Sequence, residues 1–316
     1  VTISAAVPLE VDDEPCVVLM SSTGLLARTA DQRFEQVGDI ARANHDVIIS
    51  AVPATNRGFI GLVTSTGTLI RLSVVDLPAL PSVVGIPALS AGAPIGAFVD
   101  LPLGESALCL TTLDETSGIA LATANGVVKR VLPDGLTNKD SWEIIRLDEG
   151  DQVVGAIGLD EAAAETSELV FVTSDGQLLR FAASAVRPQG RAAGGMAGVR
   201  LAPGARVTSF TALTPAAGAV VVTIAGSADA LPGTDAGSIK ITPLAEYPAK
   251  GRGTGGVRCH KFRSGEDTLV LAWVGIGPAR AATASGVPED LPKNLGKRDG
   301  TGSPGTTPIC GLGGQL

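Results

Sequence analysis

The sequence predicts an all-β fold in which six four-stranded blades form a disc, on the strength of three observations. Aromatic residues are only 3% of the 316, and forty glycines with twenty prolines cut the chain into short segments. Apolar runs dense in β-branched residues recur throughout. The runs are also self-similar: "CVVLMSSTGLLARTA" (16–30), "GFIGLVTSTGTLIRLS" (58–73), "SGIALATANGVVKRVL" (117–132) and "SELVFVTSDGQLLRFA" (167–182) share one plan. Each passes from an apolar stretch through a polar turn ending in glycine to further apolar residues and a base.

Taken in order, the four copies turn at Gly24, Gly67, Gly126 and Gly176. Thr-Gly, Asn-Gly and Asp-Gly accept the positive φ that tight hairpins require, so each copy predicts a β-hairpin. A weaker fifth copy, "AGSIKITPLAEYP" (236–248), follows "GAVVVTIAG" and turns at Gly237, and "DTLVLAWVGIGPARAATASG" (267–286) reads as a sixth. The turn glycines recur every 43 to 61 residues, room for four short strands each. The predicted domain therefore spans 1–292, with blades at roughly 1–50, 51–102, 103–160, 161–213, 214–262 and 263–292. Closure of the ring by the N-terminus is expected. Residues 293–316, "KNLGKRDGTGSPGTTPICGLGGQL", lack an apolar period and predict a flexible, glycine-rich tail. Trp273 in "LVLAWVG" reads as core, and Trp142 in "NKDSWEIIR" as partly exposed.

Hydrophobic residues make up 45% of the chain, enough for a substantial core. Cys16, Cys109, Cys259 and Cys310 lie far apart with no C-x-x-C spacing, which points away from zinc or a disulfide framework and toward a reducing cytoplasm. "VGIPALSAGAPIGAFVDLPL" (84–103) approaches membrane-spanning length, but its prolines and Asp100 predict loops and a core strand. "VTISAAVPLEVDDE" has neither a basic start nor a long apolar run, so no leader is expected. His45 and His260 are the only histidines. Cys259 and His260 are adjacent, so a strand would point them to opposite faces, unsuited to a nucleophile-base pair. No phosphate-binding G-x-x-x-x-G-K-[ST] motif or twelve-residue calcium spacing occurs. No catalytic residue, metal or cofactor is assigned.

The formal net charge is -8, but it is uneven. Residues 1–160 hold 9 Lys/Arg against 20 Asp/Glu, whereas 187–263 hold 10 against 3. That basic region contains two related segments, "VRPQGRAAGGMAGVRLAPGARV" and "EYPAKGRGTGGVRCHKFRSGED". Their glycines let backbone amides approach a phosphate, and their bases supply charge-assisted hydrogen bonds to it. Such a surface suits contact with a nucleic-acid backbone rather than base reading. The alternative for these arginines is a solvated place in glycine-rich turns.

The alternation of S/T-x-G-x-h-h-R hairpins with G-R-x-x-G-G loops resembles the C-terminal DNA-wrapping domain of the A subunit of bacterial type IIA topoisomerases, gyrase and topoisomerase IV, over residues 1–292. The resemblance implies a six-bladed β-pinwheel whose basic rim bends double-stranded DNA. It implies, as partners, the ATPase B subunit together with the remainder of the A subunit. It also implies a nucleoid-associated place in the cytoplasm, no membrane, and a cleaving tyrosine outside this domain, so that Tyr247 packs instead. The family's box, approximately Q-R-R-G-G-R-G, is met only in part by Gln189–Gly195 and Lys250–Gly256, which favours the topoisomerase IV paralogue. Carried onto this sequence, the DNA contacts are Arg187, Gln189, Arg191 and Arg200 in the first segment and Lys250, Arg252, Arg258 and Lys261 in the second. Secondary contacts fall at the hairpin bases Arg71, Lys129, Arg130, Arg180 and Lys240, whose alternative role is to keep strand edges soluble. The corresponding loop of repeat two, "DLPALPSVVGIPALSAG", has no base, so contact is expected on an arc over repeats four and five. The competing reading is a propeller-like scaffold whose basic patch docks an acidic protein.

Overall fold

The computed structural model describes residues 11–34, 41–82, 84–114, 116–132, 139–231 and 233–314. Turn chemistry sets its local structure: Gly24, Gly67, Gly126, Gly176 and Gly237 all have positive φ, between +54° and +87°, and each joins or directly precedes the second strand of an antiparallel hairpin. Six small sheets result, which form a six-bladed β-propeller with a single short α-helix, Glu161–Thr166, among the described residues.

Within a blade the strand order is not the chain order. Blade three runs outward from Val153–Gly158 through the hairpin Ile119–Thr123 and Val127–Val131 to Pro188–Gln189, which arrives after the hairpin of blade four. The same exchange repeats around the disc. Ala79–Leu80 covers Leu25–Thr29 of blade one, and Ser141–Glu143 covers Thr68–Ser73 of blade two. Val257–Arg258 covers Gln177–Ala182 of blade four, and Ser303–Pro304 covers Ser238–Pro243 of blade five. In blades one to five the hairpin's outer edge is thereby hydrogen-bonded by a segment of the following repeat, and the edge left in blade six, Pro288–Glu289, is only two residues long.

The innermost strands Ile48–Thr55, Ala107–Thr111, Val153–Gly158, Val207–Leu213, Thr268–Ile276 and Gly311–Gly313 touch in succession, the last returning to the first. They enclose an axial channel of about 930 Å³ lined mainly by small and apolar side chains. The core is divided into apolar clusters wedged between successive blades. Phe171, Phe181 and Phe210 pack at the interface of blades three and four, and Trp142, Leu69 and Leu121 at that of blades two and three.

The sixth blade differs from its expectation. Thr268–Ile276 is the innermost strand of blade five, paired with Ala219–Gly226 over eight residues. Blade six consists of Arg280–Ala282, Pro288–Glu289 and Gly311–Gly313. Its closing strand therefore comes from the C-terminal end of the described chain. Residues 1–10, where an N-terminal closing segment would begin, lie outside the described part. The segment expected to be a flexible tail supplies one strand to blade five and one to blade six. Strands of two and three residues are too short to leave an apolar period. The two tryptophans exchange roles as well. Trp142 is 5% exposed because the e-B-e alternation of Ser141–Glu143 turns it inward, while Trp273 stands on an innermost strand and lines the channel.

Blade six is fastened to blade one by charge. Asp46, 2% exposed, accepts from Arg42 at 2.7 and 2.9 Å and from Arg280 at 3.1 Å. Arg42 also donates to the carbonyls of Ala281 and Glu289. Removing the shared acceptor leaves two guanidinium groups facing each other with little water. Asp46→Ala is expected to lower the unfolding free energy by about 3 kcal/mol in urea denaturation. A loss under about 1 kcal/mol would show that the ring closes without this pair.

Candidate nucleic-acid interface

Strand exchange creates a recurring excursion on the rim. In blade three the chain arrives at Pro188–Gln189, parallel to Arg130 and Val131, leaves through Gly190–Gly195, and returns at Met196–Ala197, antiparallel to Val127 and Val128. Gly195 has φ +85°, and a Cβ there would lie 2.8 Å from the Val128 carbonyl oxygen. Only glycine fits that approach. The second excursion docks on blade four: Lys250 N–H donates to the Arg180 carbonyl, and a Cβ on Gly256 would lie 2.4 Å from the Leu178 oxygen. Both segments follow the hairpins of repeats four and five, but the exchange seats them on blades three and four.

A third excursion of this kind was not legible as one. Residues 293–302 leave blade five, where Gly296 N–H donates to Ile241 O, and return at Ser303–Pro304. Its "RDGTGS" matches "RGTGG" of the second segment with one insertion, Asp299, and that alignment is the signal that could have found it. Lys293 and Lys297 are exposed and Arg298 is partly so.

The three excursions are joined. Gly253 N–H donates to Gly198 O at 2.7 Å, Arg200 N–H to Thr254 O at 3.0 Å, and Arg252 Nη1 to Ala197 O at 2.6 Å. Lys261 N–H donates to Gly300 O at 3.0 Å, and Arg298 Nη1 to Arg258 O at 3.3 Å. Arg187, Arg200, Lys250, Arg252, Arg258 and Lys261 are exposed on this arc and Arg191 is partly exposed; among the described residues none has an ion-pair partner. Arg187, Gln189 and Arg252 line a cavity of about 440 Å³ between the first two excursions, with the Gln189 Oε1 buried and unbonded.

The hairpin bases are placed differently: Lys129, Lys240 and Arg130 are buried, which removes them as phosphate contacts, while Arg71 and Arg180 are partly exposed. Lys129 and Lys240, 0% and 3% exposed, each stand three residues after the turn glycine. Lys129 Nζ donates to the carbonyls of Ile144, Arg191 and Ala193 at 2.7–2.8 Å. Lys240 Nζ donates to those of Lys297, Arg298 and Gly300 at 2.7–3.0 Å. Burial pushes both ammonium groups down to about 8. Arg130 donates to Val186 O and pairs with Glu161, Arg180 faces Glu168 at 3.4 Å, and the Arg71 guanidinium lies 3.9 Å over the Phe59 ring. Read from sequence, these positions stand on an edge strand. In the fold, a strand of the next repeat covers that edge, and Lys129, Arg130 and Lys240 become braces on backbone carbonyls.

Beneath the second excursion, His260 pins the segment to blade five. Its Nδ1 lies 2.8 Å from Thr223 Oγ1, its Nε2 3.3 Å from Ser238 Oγ, and burial pushes it down to about 4. Tyr247 is 1% exposed in the apolar cluster between blades four and five that also holds Cys259, and burial raises its hydroxyl above the ordinary value.

Residues 167–213 and 233–272 match the family described as DNA gyrase C-terminal domain, beta-propeller. An A subunit of DNA gyrase from Mycolicibacterium smegmatis is 31% identical over 169 residues, 52% of this chain and 18% of that protein. The A subunit of DNA gyrase from Deinococcus deserti is 29% identical over 77% of this chain and 30% of that protein. This chain thus spans a third or less of the length of these relatives. The crystal structure of the C-terminal domain of DNA topoisomerase IV shares the fold, with a TM-score of 0.71 and 19% identity over 96% of this chain and 94% of that one.

The histidine yields a pH test. The unfolded ring takes a proton near 6.5 and the folded ring only near 4, so stability present above pH 6.5 is lost as pH falls through that window. The loss amounts to about 3 kcal/mol. His260→Gln is expected to remove this part of the acid dependence in urea unfolding between pH 7 and pH 4; equal slopes for the two proteins would contradict the assignment.

Proposed function

We propose that this chain, which belongs to the C-terminal β-propeller domains of type IIA topoisomerase A subunits, holds and bends duplex DNA along the rim of blades three to five. Contact is with phosphates and is independent of base sequence. The domain carries no chemistry of its own in this reading. It presents a duplex to the cleavage core elsewhere in the A subunit, in an enzyme whose ATPase resides in the B subunit, within the bacterial cytoplasm at the nucleoid. The partial boxes at Gln189–Gly195 and Lys250–Gly256 favour a topoisomerase IV parent over gyrase.

One observation supports the reading above the others: the fold does not require the rim bases. Blade one carries the same excursion, parallel at Ala79–Leu80 and antiparallel at Ala93–Pro94 on the register positions used in blade three. Residues 81–92 between them hold no base. Bases are therefore present in some excursions and absent from others on one backbone plan, and those that carry them are consecutive and hydrogen-bonded to one another. A continuous positive arc on a chain of net charge -8 suits a polyanion and confines it to one side, since the acidic blades repel phosphate. His45 and His260 are both committed to hydroxyl partners, which fits a binding role.

Duplex affinity measured across a salt series tests this directly. Arg191→Ala/Arg252→Ala is expected to reduce the slope of log K against log salt by about 2, roughly 0.9 for each phosphate that is no longer neutralised. Arg57→Ala, at an exposed base off the arc, should leave it unchanged. Absence of duplex binding at low salt, or binding that ignores salt, would contradict the proposal and return the basic patch to an acidic protein partner.

A further inference from the structure

Lys129 has a consequence for the backbone it grips. Its ammonium lies on the inner side of the first excursion and holds the carbonyl oxygens of Arg191 and Ala193 at 2.8 Å each. The peptide group is planar and trans, so the N–H of each following residue points away from the carbonyl before it. Two inward carbonyls therefore direct the amides of Ala192 and Gly194 away from Lys129. Both residues are exposed, and neither N–H has a hydrogen-bond partner among the described residues. Gly194 has no side chain to screen its amide.

Blade five repeats the construction and shows what such an amide takes. Lys240, at the same place after its turn glycine, holds the carbonyl of Lys297 at 3.0 Å. The amide that follows, Arg298 N–H, donates to a carboxylate oxygen, Glu246 Oε2, at 3.0 Å. In the gripped excursion of blade five an outward amide is thus already paired with an anion. In the first excursion neither amide is paired with a carboxylate: residues 176–228 contain no Asp or Glu, and Glu143, the acid whose charge reaches Lys129, accepts from neither amide among the described residues.

We propose that the Ala192 and Gly194 amides form an anion seat for a non-bridging phosphate oxygen of duplex DNA, with Lys129 as the buried positioning residue that creates it. The inference rests on the DNA reading and deepens it: the seat adds main-chain donors to the rim, which the side-chain inventory does not contain. The two amides alternate with Ala193, whose own N–H is used on Gly190 O, and main-chain amides turned to one side of a loop make an anion-binding concavity. A buried ammonium behind them adds positive potential without spending a side chain on the surface. Burial draws the Lys129 ammonium down to about 8, so it remains charged at neutral pH.

The experiment is an amide-resolved NMR titration of the intact chain with a duplex, repeated on Lys129→Met, with inorganic phosphate as a separate arm. The Ala192 and Gly194 resonances are expected to shift with duplex in the parent chain and to stay in place in Lys129→Met. That variant should bind duplex about three- to tenfold more weakly with an unaltered salt slope, because the lysine itself touches no phosphate. Duplex binding that leaves both amides unmoved overturns the seat and leaves the DNA reading intact; a slope reduced by about 0.9 overturns the positioning role. Failure of the parent chain to bind duplex overturns the DNA reading. The phosphate arm then decides the seat alone: shifts at the two amides support it, and their absence overturns it. Where Lys129→Met does not fold, the parent titration decides.

Discussion

The pairing of the hairpin's outer edge in blades one to five with a strand from the following repeat is the constraint on which the rest of the molecule depends. A two-stranded hairpin is marginal in water and its free edge invites aggregation. Here the edge is closed by two or three residues that belong to the next repeat, so every blade is held to its neighbour by main-chain hydrogen bonds as well as by the apolar wedge between them. The chain must cross from one blade to the edge of the previous one, and the crossing throws a loop onto the rim. The rim loops are a by-product of closing edges. Their sequence is free to vary, which is why one carries "LPSVVGIPALSAG" and another "GRAAGG" on the same register.

That freedom separates fold from function in the charges. Bases in the second strand of the hairpins of blades three and five face the covering strand or the loop beyond it, and they serve as braces: Arg130 on Val186 O, Lys129 and Lys240 on three carbonyls each. Bases in the loops face water and have no ion-pair partner among the described residues. The two sets are neighbours in space and opposite in role. A buried lysine fixes the loop, and the loop presents its arginines and its amides. The electrostatic consequence is a positive arc on an otherwise acidic disc, with local order supplied from inside.

Much of this was legible in the sequence because hairpins are local. Turn glycines and the β-branched runs beside them specify strands within a dozen residues, and the repeat made the blade plan visible. Pairing between segments far apart in the chain leaves almost no local trace. The strands Pro188–Gln189, Val257–Arg258 and Ser303–Pro304 are two residues long, so neither their existence nor the blade they join could be read from periodicity. The burial of Lys129, the placement of Trp142 and the conversion of the expected tail into two strands all follow from that one hidden feature. The glycine-arginine segments were visible through composition. Their docking one blade earlier than their place in the chain, and the third member at 293–302, required the exchange to be seen.

The central claim is that one continuous arc of rim loops carries the duplex. Hydrogen exchange followed by mass spectrometry, on the intact chain with and without a duplex, locates the contact without any substitution. The account predicts slower exchange in residues 187–200, 250–263 and 293–303, with 76–105 unchanged. Protection centred on 76–105, or on the innermost strands around the channel, would contradict it.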